Sequence, residues 1–221
     1  MNAPERIRVV QYGLGPIGLA AVKAILSRRD LELVGAIDID PAKLERDVAD
    51  LSGLKRPSGI RVSNRAQEVL GVTRPDVVLH TTGSRVAKVL PQLRYCLEAG
   101  TSVVSTCEEL LLPSVRHAAE AQELDRMAQA KGVVVLGTGV NPGFVMDTVA
   151  LVATAPCVEL RAVRVERVVD ASTRRLNLQK KVGAGMSRSE FRRVISKGEL
   201  GHVGLLESLH LVARGIGWRL D

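Results

Sequence analysis

Between the apolar run that opens the chain and a stretch of helical periodicity stands Gly13-Leu14-Gly15-Pro16-Ile17-Gly18. Three glycines at this spacing constrain the fold more than any other feature. Residues 6–12 before them read as a strand and residues 16–28 after them as a helix. Pro16 falls in the first turn, where its missing N–H would lack an intrahelical partner anyway. Gly13 allows a tight turn, Gly15 lets a ligand approach the backbone, and Gly18 permits close packing of helix on strand. The helix N-terminus then offers N–H groups to an anion, and a dinucleotide pyrophosphate is the anion such a turn receives.

A second strand, Leu31–Ile37, ends at Asp38, twenty residues past Gly18. An acid there binds the adenine ribose hydroxyls, so the sequence points to NAD or NADP as cofactor. The Asp38 carboxylate repels a 2'-phosphate and favours NAD. Asp40, Lys43 and Arg46 lie just beyond, and a cation folding over a 2'-phosphate would allow NADP; Asp40 followed by Pro41 suits a capped helix start equally well.

Apolar runs bounded by turn residues then alternate with helical stretches, the pattern of a parallel sheet covered on both faces. A short helix is expected over 41–51 and a short third strand within 56–64. Further strands are expected over 76–80, 101–106 and 133–136, with Val77, Val78 and Leu79 buried. Helices are expected over 85–99 and, strongly amphipathic and stopped at Gly132, over 113–130. The loop Gly137 to Gly143 is too rich in Gly and Pro to be regular. A helix over 144–155 then leaves the first domain, residues 158–169 alternate as a strand does, and helices follow near 187–197 and 203–215. The expected class is α/β: a Rossmann doubly wound parallel sheet over 1–145, followed by a smaller, partial α+β domain over 146–221 that serves substrate binding or oligomerisation.

Composition narrows the class further. Hydrophobic residues at 46% and charged residues at 25% suit a soluble globular protein. No apolar run is long enough for a membrane span, and the N-terminus has no signal-like apolar region, so a cytoplasmic location is expected. Cys96, Cys107 and Cys157 form neither a disulfide framework nor a metal knuckle. The four histidines lack metal spacing, and no metal is expected. The net charge of +7 concentrates between Arg161 and Lys197, but with two Phe, two Tyr and one Trp there are few platforms for bases, and a solvated basic face is the preferred reading over nucleic acid.

Ligands of such sheets bind outside the carboxyl ends of the strands. Thr81, Thr82, Gly83 and Ser84 follow one strand and are small enough to approach the nicotinamide ribose; Ser84 or Arg85 equally caps the next helix. Glu108 and Glu109 follow another and are both candidate substrate contacts. Adjacent carboxylates repel each other, and a shielded one acquires the raised pKa a general base needs; the alternative is a cap on the helix near Pro113. Cys107 has no adjacent base to make it a nucleophile. His80, inside a strand, reads as a satisfied core histidine, and His202 at a helix start as a candidate substrate contact.

The strings Ser105-Thr106-Cys107-Glu108-Glu109, Gly137-Thr138-Gly139-Val140-Asn141-Pro142-Gly143-Phe144, Gly201-His202-Val203-Gly204 and Gly217-Trp218 resemble the 2,4-diaminopentanoate dehydrogenase family, which includes native amine dehydrogenases and is distantly similar to dihydrodipicolinate reductase and homoserine dehydrogenase. The resemblance covers essentially the whole chain. It implies NAD(P)-dependent oxidation of a primary amine carbon, or the reverse reductive amination, on a small amine or diamino acid. By the same resemblance Glu108 binds the amine and activates water, Asn141, Pro142 and Phe144 border the nicotinamide, Arg174 and Arg175 belong to the substrate side, and His202 lies near the pocket. Family members continue beyond the equivalent of Asp221, so the second domain is expected to be partial and a homodimer to cover its apolar edges. An imine or aldehyde reductase is the alternative, disfavoured by the missing histidine-histidine and lysine signature of dihydrodipicolinate reductases and by Glu108 where homoserine dehydrogenases place lysine. A non-catalytic NAD-sensing protein is a further alternative, lacking any helix-turn-helix to support nucleic-acid binding.

Overall fold

The computed structural model describes residues 6–174, 176–197 and 200–220, with the side chain of Asn177 left aside. Contacts divide the chain into two units, Met1–Gly139 and Val140–Asp221. The first contains β1 (Ile7–Tyr12), α1 (Pro16–Ser27), β2 (Leu31–Ile37), α2 (Val48–Leu51), β3 (Val62–Ser63), α3 (Ala66–Thr73), β4 (Val77–His80), α4 (Val86–Glu98), β5 (Ser102–Ser105), α5 (Ala118–Lys131) and β6 (Val135–Gly137). Its six strands are all parallel in the order β3-β2-β1-β4-β5-β6. That is the doubly wound order, with the direction of winding reversing beside β1. Val10 belongs to an apolar cluster with Val78, Val89, Leu93 and Val103, and its neighbour Val9 to another with Val22, Ile25 and Leu33. Adjacent strand residues thus bury opposite faces, which is why the strands are nearly continuous in apolar residues.

Helix α4 buries Val86, Val89, Leu93, Cys96 and Leu97, a stripe at helical spacing. Gly132 ends α5 at φ +65°, the left-handed cap that glycine adopts without strain. Three local expectations are corrected. The helix expected over 41–51 shrinks to Val48–Leu51, because Glu45 N–H and Arg46 carbonyl are drawn into bonds with Val62, and Asp47 caps Ala49 N–H at 2.8 Å. Residues 113–130 are not one helix: a 3-10 turn spans Pro113–Val115, and α5 starts after His117, whose ring is bonded to Glu109. Ala66–Thr73 is a helix where the sequence reading assigns none.

The second unit contains α6 (Thr148–Thr154), α7 (Leu176–Lys181), α8 (Arg188–Ser196) and α9 (Leu205–Gly215). Its centre is the buried Asp147, whose carboxylate accepts Gly143 N–H at 2.7 Å, Thr148 N–H at 2.6 Å and the Ser208 hydroxyl at 2.6 Å. Burial opposes ionisation of Asp147 most strongly, yet these bonds, Ser208 first among them, together hold its carboxyl below the usual range. They also explain why α6 starts at Thr148 and not at Phe144: residues 141–147 form a turn, with a cis Asn141-Pro142 bond, that folds back onto Asp147. The strand expected over 158–169 does not form among the described residues, and Val158, Val168 and Val169 are exposed. An isolated alternating segment has no ladder partner to hold it as a strand. No helix among the described residues is long and apolar enough to cross a membrane.

Candidate active site

Gly13 sits at φ +92° with its N–H donating to Ile37 carbonyl at 2.7 Å, and a Cβ there would lie 2.9 Å from the Thr81 carbonyl and the Thr82 methyl. A Cβ on Gly18 would collide with the Gly13 carbonyl and stand 2.8 Å from Thr81 Oγ1. Both glycines are therefore required by the fold itself. Gly15 is different. It is the N-cap of α1 at φ −65°, a conformation open to any residue, and a Cβ there would meet nothing within 4 Å. Among the described residues no side chain caps α1, Pro16 occupies its first turn and Ile17 is exposed beside it. Open space over an uncapped helix N-terminus fits a diphosphate, so the residues present suit a dinucleotide.

The turn is held from below by side chains. Gln11, fully buried in β1, donates from Nε2 to Gly13 carbonyl and to Thr81 Oγ1, each at 2.9 Å, and the Thr81 hydroxyl donates to the same carbonyl at 2.8 Å. Ser105 Oγ accepts Cys107 N–H at 3.1 Å and lies 2.9 Å from His80 Nδ1. Gln92 Oε1 only accepts, so His80 Nε2–H donates to it at 2.8 Å and Nδ1 is left to accept the Ser105 hydroxyl. The Thr82 hydroxyl donates to Gln92 Oε1 at 2.5 Å. Burial pushes the His80 pKa down against the bond to Gln92, so the ring is neutral and structural, as expected for a core histidine. A Cβ on Gly83 would come 3.3 Å from Val89, a tight fit under the start of α4. Gln11 and Gln92 were not among the sequence candidates. The available signal was a glutamine inside the apolar run Val9-Val10-Gln11-Tyr12.

Glu108 and Glu109 part company in the 3-10 turn Glu108–Leu111 that follows β5. Glu109 is 2% exposed. Its carboxylate accepts Val86 N–H at 2.8 Å, lies 3.0 Å from His117 Nε2 and pairs with Arg85 at 3.3 Å. It caps α4, not the helix near Pro113, and its oxygens are committed to protein groups. Glu108 is half-buried, and among the described residues no hydrogen bond or ion pair engages its carboxylate. Cys107 is buried, and desolvation pushes its thiol up to about 12, which disqualifies it as a nucleophile.

Further candidates lie in the second unit. Asn141 and Pro142 form the cis bond, Phe144 is 54% exposed, Arg174 and His202 are exposed, and the Arg174 carbonyl accepts the Gln179 amide at 2.7 Å. Arg175 lies outside the described residues. No group of three His, Cys, Asp or Glu side chains is placed to hold a metal among the described residues.

Residues 7–136 match the N-terminal domain of dihydrodipicolinate reductase. The chain belongs to that family. Residues 144–221 match the 2,4-diaminopentanoate dehydrogenase C-terminal domain, so the family resemblance of the sequence motifs holds over both units. Among similar proteins, 2,4-diaminopentanoate dehydrogenase of Acetoanaerobium sticklandii is 31% identical over 98% of this chain and 62% of its own length. Amine dehydrogenase of Streptomyces virginiae is 27% identical over 76% of the chain and 47% of its own. The solved structure of an amine dehydrogenase from Mycobacterium smegmatis superposes with a TM-score of 0.82 at 26% identity, covering 97% of this chain and 63% of that one. The chain thus spans less than two thirds of the length of these relatives.

Proposed function

We propose that this chain is an NAD(P)-dependent oxidoreductase acting on the CH–NH2 group of a small amine or diamino acid. The observation that carries the reading is the contrast at the end of β5, where the Glu109 carboxylate is fully committed and that of its neighbour Glu108 is not. A bound nicotinamide dinucleotide supplies the hydride acceptor. The chain's own residues supply the rest. The turn from Gly13 to Gly18 presents helix N–H groups to the pyrophosphate, and Thr81, Thr82 and Gly83 form the floor beyond it. Glu108 attracts a cationic amine, and takes a proton from the water that hydrolyses the oxidised C=N bond. Asn141, Pro142, Phe144, Arg174 and His202 are assigned to the nicotinamide and substrate side on the strength of the family motifs.

The test is direct. Full chain given NAD or NADP and a panel of short diamino acids and alkyl amines is expected to form reduced nicotinamide in an amine-dependent way. Absence of turnover across the panel, with cofactor still bound, would sink the reading.

We also propose a cytoplasmic homodimer. Val158, Val168, Leu176, Val182, Leu205 and Leu209 are all exposed, and a second copy of the chain would cover such apolar side chains. Sedimentation equilibrium is expected to give twice the chain mass, and a monomer at micromolar concentration would refute the assembly.

A further inference from the structure

Asp38 closes β2 with its carboxylate turned back into the fold and is 8% exposed. Its Oδ2 accepts Leu14 N–H at 2.5 Å and stands 3.3 Å from Lys43 Nζ, while Oδ1 accepts Asp40 N–H at 2.8 Å. The carboxylate at the ribose end of the sheet is therefore already engaged in fastening the glycine turn. Lys43 Nζ is also 3.2 Å from Asp40 Oδ2, so one ammonium bridges two carboxylates. The loop that delivers it is anchored: Lys43 N–H donates to Asp40 carbonyl at 2.9 Å, and Glu45 and Arg46 bond to Val62. The Lys43 side chain keeps 23% of its surface exposed and that of Asp40 44%. The bridge faces solvent and is open to a ligand.

Two carboxylates and one ammonium leave this corner with a net charge of −1. A ribose 2'-hydroxyl donates to a carboxylate and tolerates that charge. A 2'-phosphate carries roughly −1.5 to −2 at neutral pH and meets repulsion from the acids and a cation already paired twice. We propose that Lys43 decides between the two cofactors: clamped by Asp38 and Asp40 it keeps the site selective for NAD, and released from Asp40 it becomes a ligand of the NADP 2'-phosphate. The proposal rests on the reading of the glycine turn as a dinucleotide site. It assigns the switch to the Lys43–Asp40 pair and not to Asp38, whose removal would loosen the turn itself.

Equilibrium binding of NADH and NADPH to the full chain, followed by nicotinamide fluorescence without substrate, tests this independently of turnover. Wild type is expected to bind NADH at least about ten-fold more tightly than NADPH. Asp40→Asn is expected to tighten NADPH about ten-fold, the factor for one charge-assisted hydrogen bond gained, with NADH changed less than about two-fold. Lys43→Met is expected to weaken NADPH further and spare NADH, and the double variant to lose the gain of Asp40→Asn. Thermal melts establish that each variant is folded. If Asp40→Asn tightens NADPH equally with Lys43 absent, the effect is loss of a negative charge alone and the proposal fails. A wild-type preference for NADPH overturns it as well. Folded wild type that binds neither dinucleotide overturns the underlying cofactor reading instead, an outcome distinct from the other two because those retain binding.

Discussion

Glu108→Gln is expected to lower turnover with an amine substrate by about 10^2 to 10^4, the range for loss of a positioned general acid or base, while NADH binds with unchanged affinity. The substitution keeps the size of the side chain and removes only its charge and basicity. Nothing in the fold resists it, because no hydrogen bond or ion pair among the described residues engages the Glu108 carboxylate. Its neighbour is expected to behave in the opposite way. Glu109→Ala would strip Val86 N–H and His117 of their acceptor, at a cost of about 1 to 3 kcal/mol, since a buried donor left unsatisfied carries its full desolvation penalty. Steady-state kinetics and thermal melts on the two variants separate the roles. Wild-type kcat in Glu108→Gln would remove Glu108 from the chemistry, and an unchanged melting temperature in Glu109→Ala would contradict its capping role.

That contrast was only half legible in the sequence. Two acids at a strand end mark a place where chemistry or capping happens, and adjacency alone does not say which acid does which. The decision is made by the pleat and the turn. The 3-10 turn after β5 directs Glu109 toward the start of α4 and leaves Glu108 with no such partner. The sheet itself was largely readable: β2 runs Leu31–Ile37 as expected, and β1 starts one residue later than the sequence suggests. Apolar runs bounded by turn residues carry strand position because each strand is buried on both faces. Where local pattern and tertiary bonding compete, the pattern fails. Residues 41–46 have helical composition, but their backbone is drawn to Val62 and their lysine to Asp38 and Asp40. His117 interrupts an otherwise helical stretch because a buried carboxylate captures its ring. Gln11 was missed for a related reason: a single polar residue within a strand looks like a lapse in pattern until the turn it supports is visible.

The glycine turn yields the second large effect, and its three glycines are expected to respond differently. Gly18→Ala places a methyl against the Gly13 carbonyl and Thr81 Oγ1, both held in place by Gln11, so the strain has no flexible side chain to absorb it. Overpacking of this kind costs about 1 to 3 kcal/mol and displaces α1 from β1, and NADH binding should fall with stability. Gly13→Ala is strained in addition by its positive φ. Gly15→Ala isolates the ligand from the fold. Its φ suits alanine, a Cβ there meets no protein atom within 4 Å, and helix α1 should form as before. The melting temperature is therefore expected to hold, while NADH affinity drops at least about ten-fold, because the methyl would occupy the space through which the pyrophosphate reaches the helix N–H groups. A glycine that the fold does not need, at the mouth of an uncapped helix, is explained by what approaches it from outside. Unaltered NADH binding in Gly15→Ala would mean that the pyrophosphate does not lie over this turn, and the cofactor reading would have to be rebuilt elsewhere on the sheet.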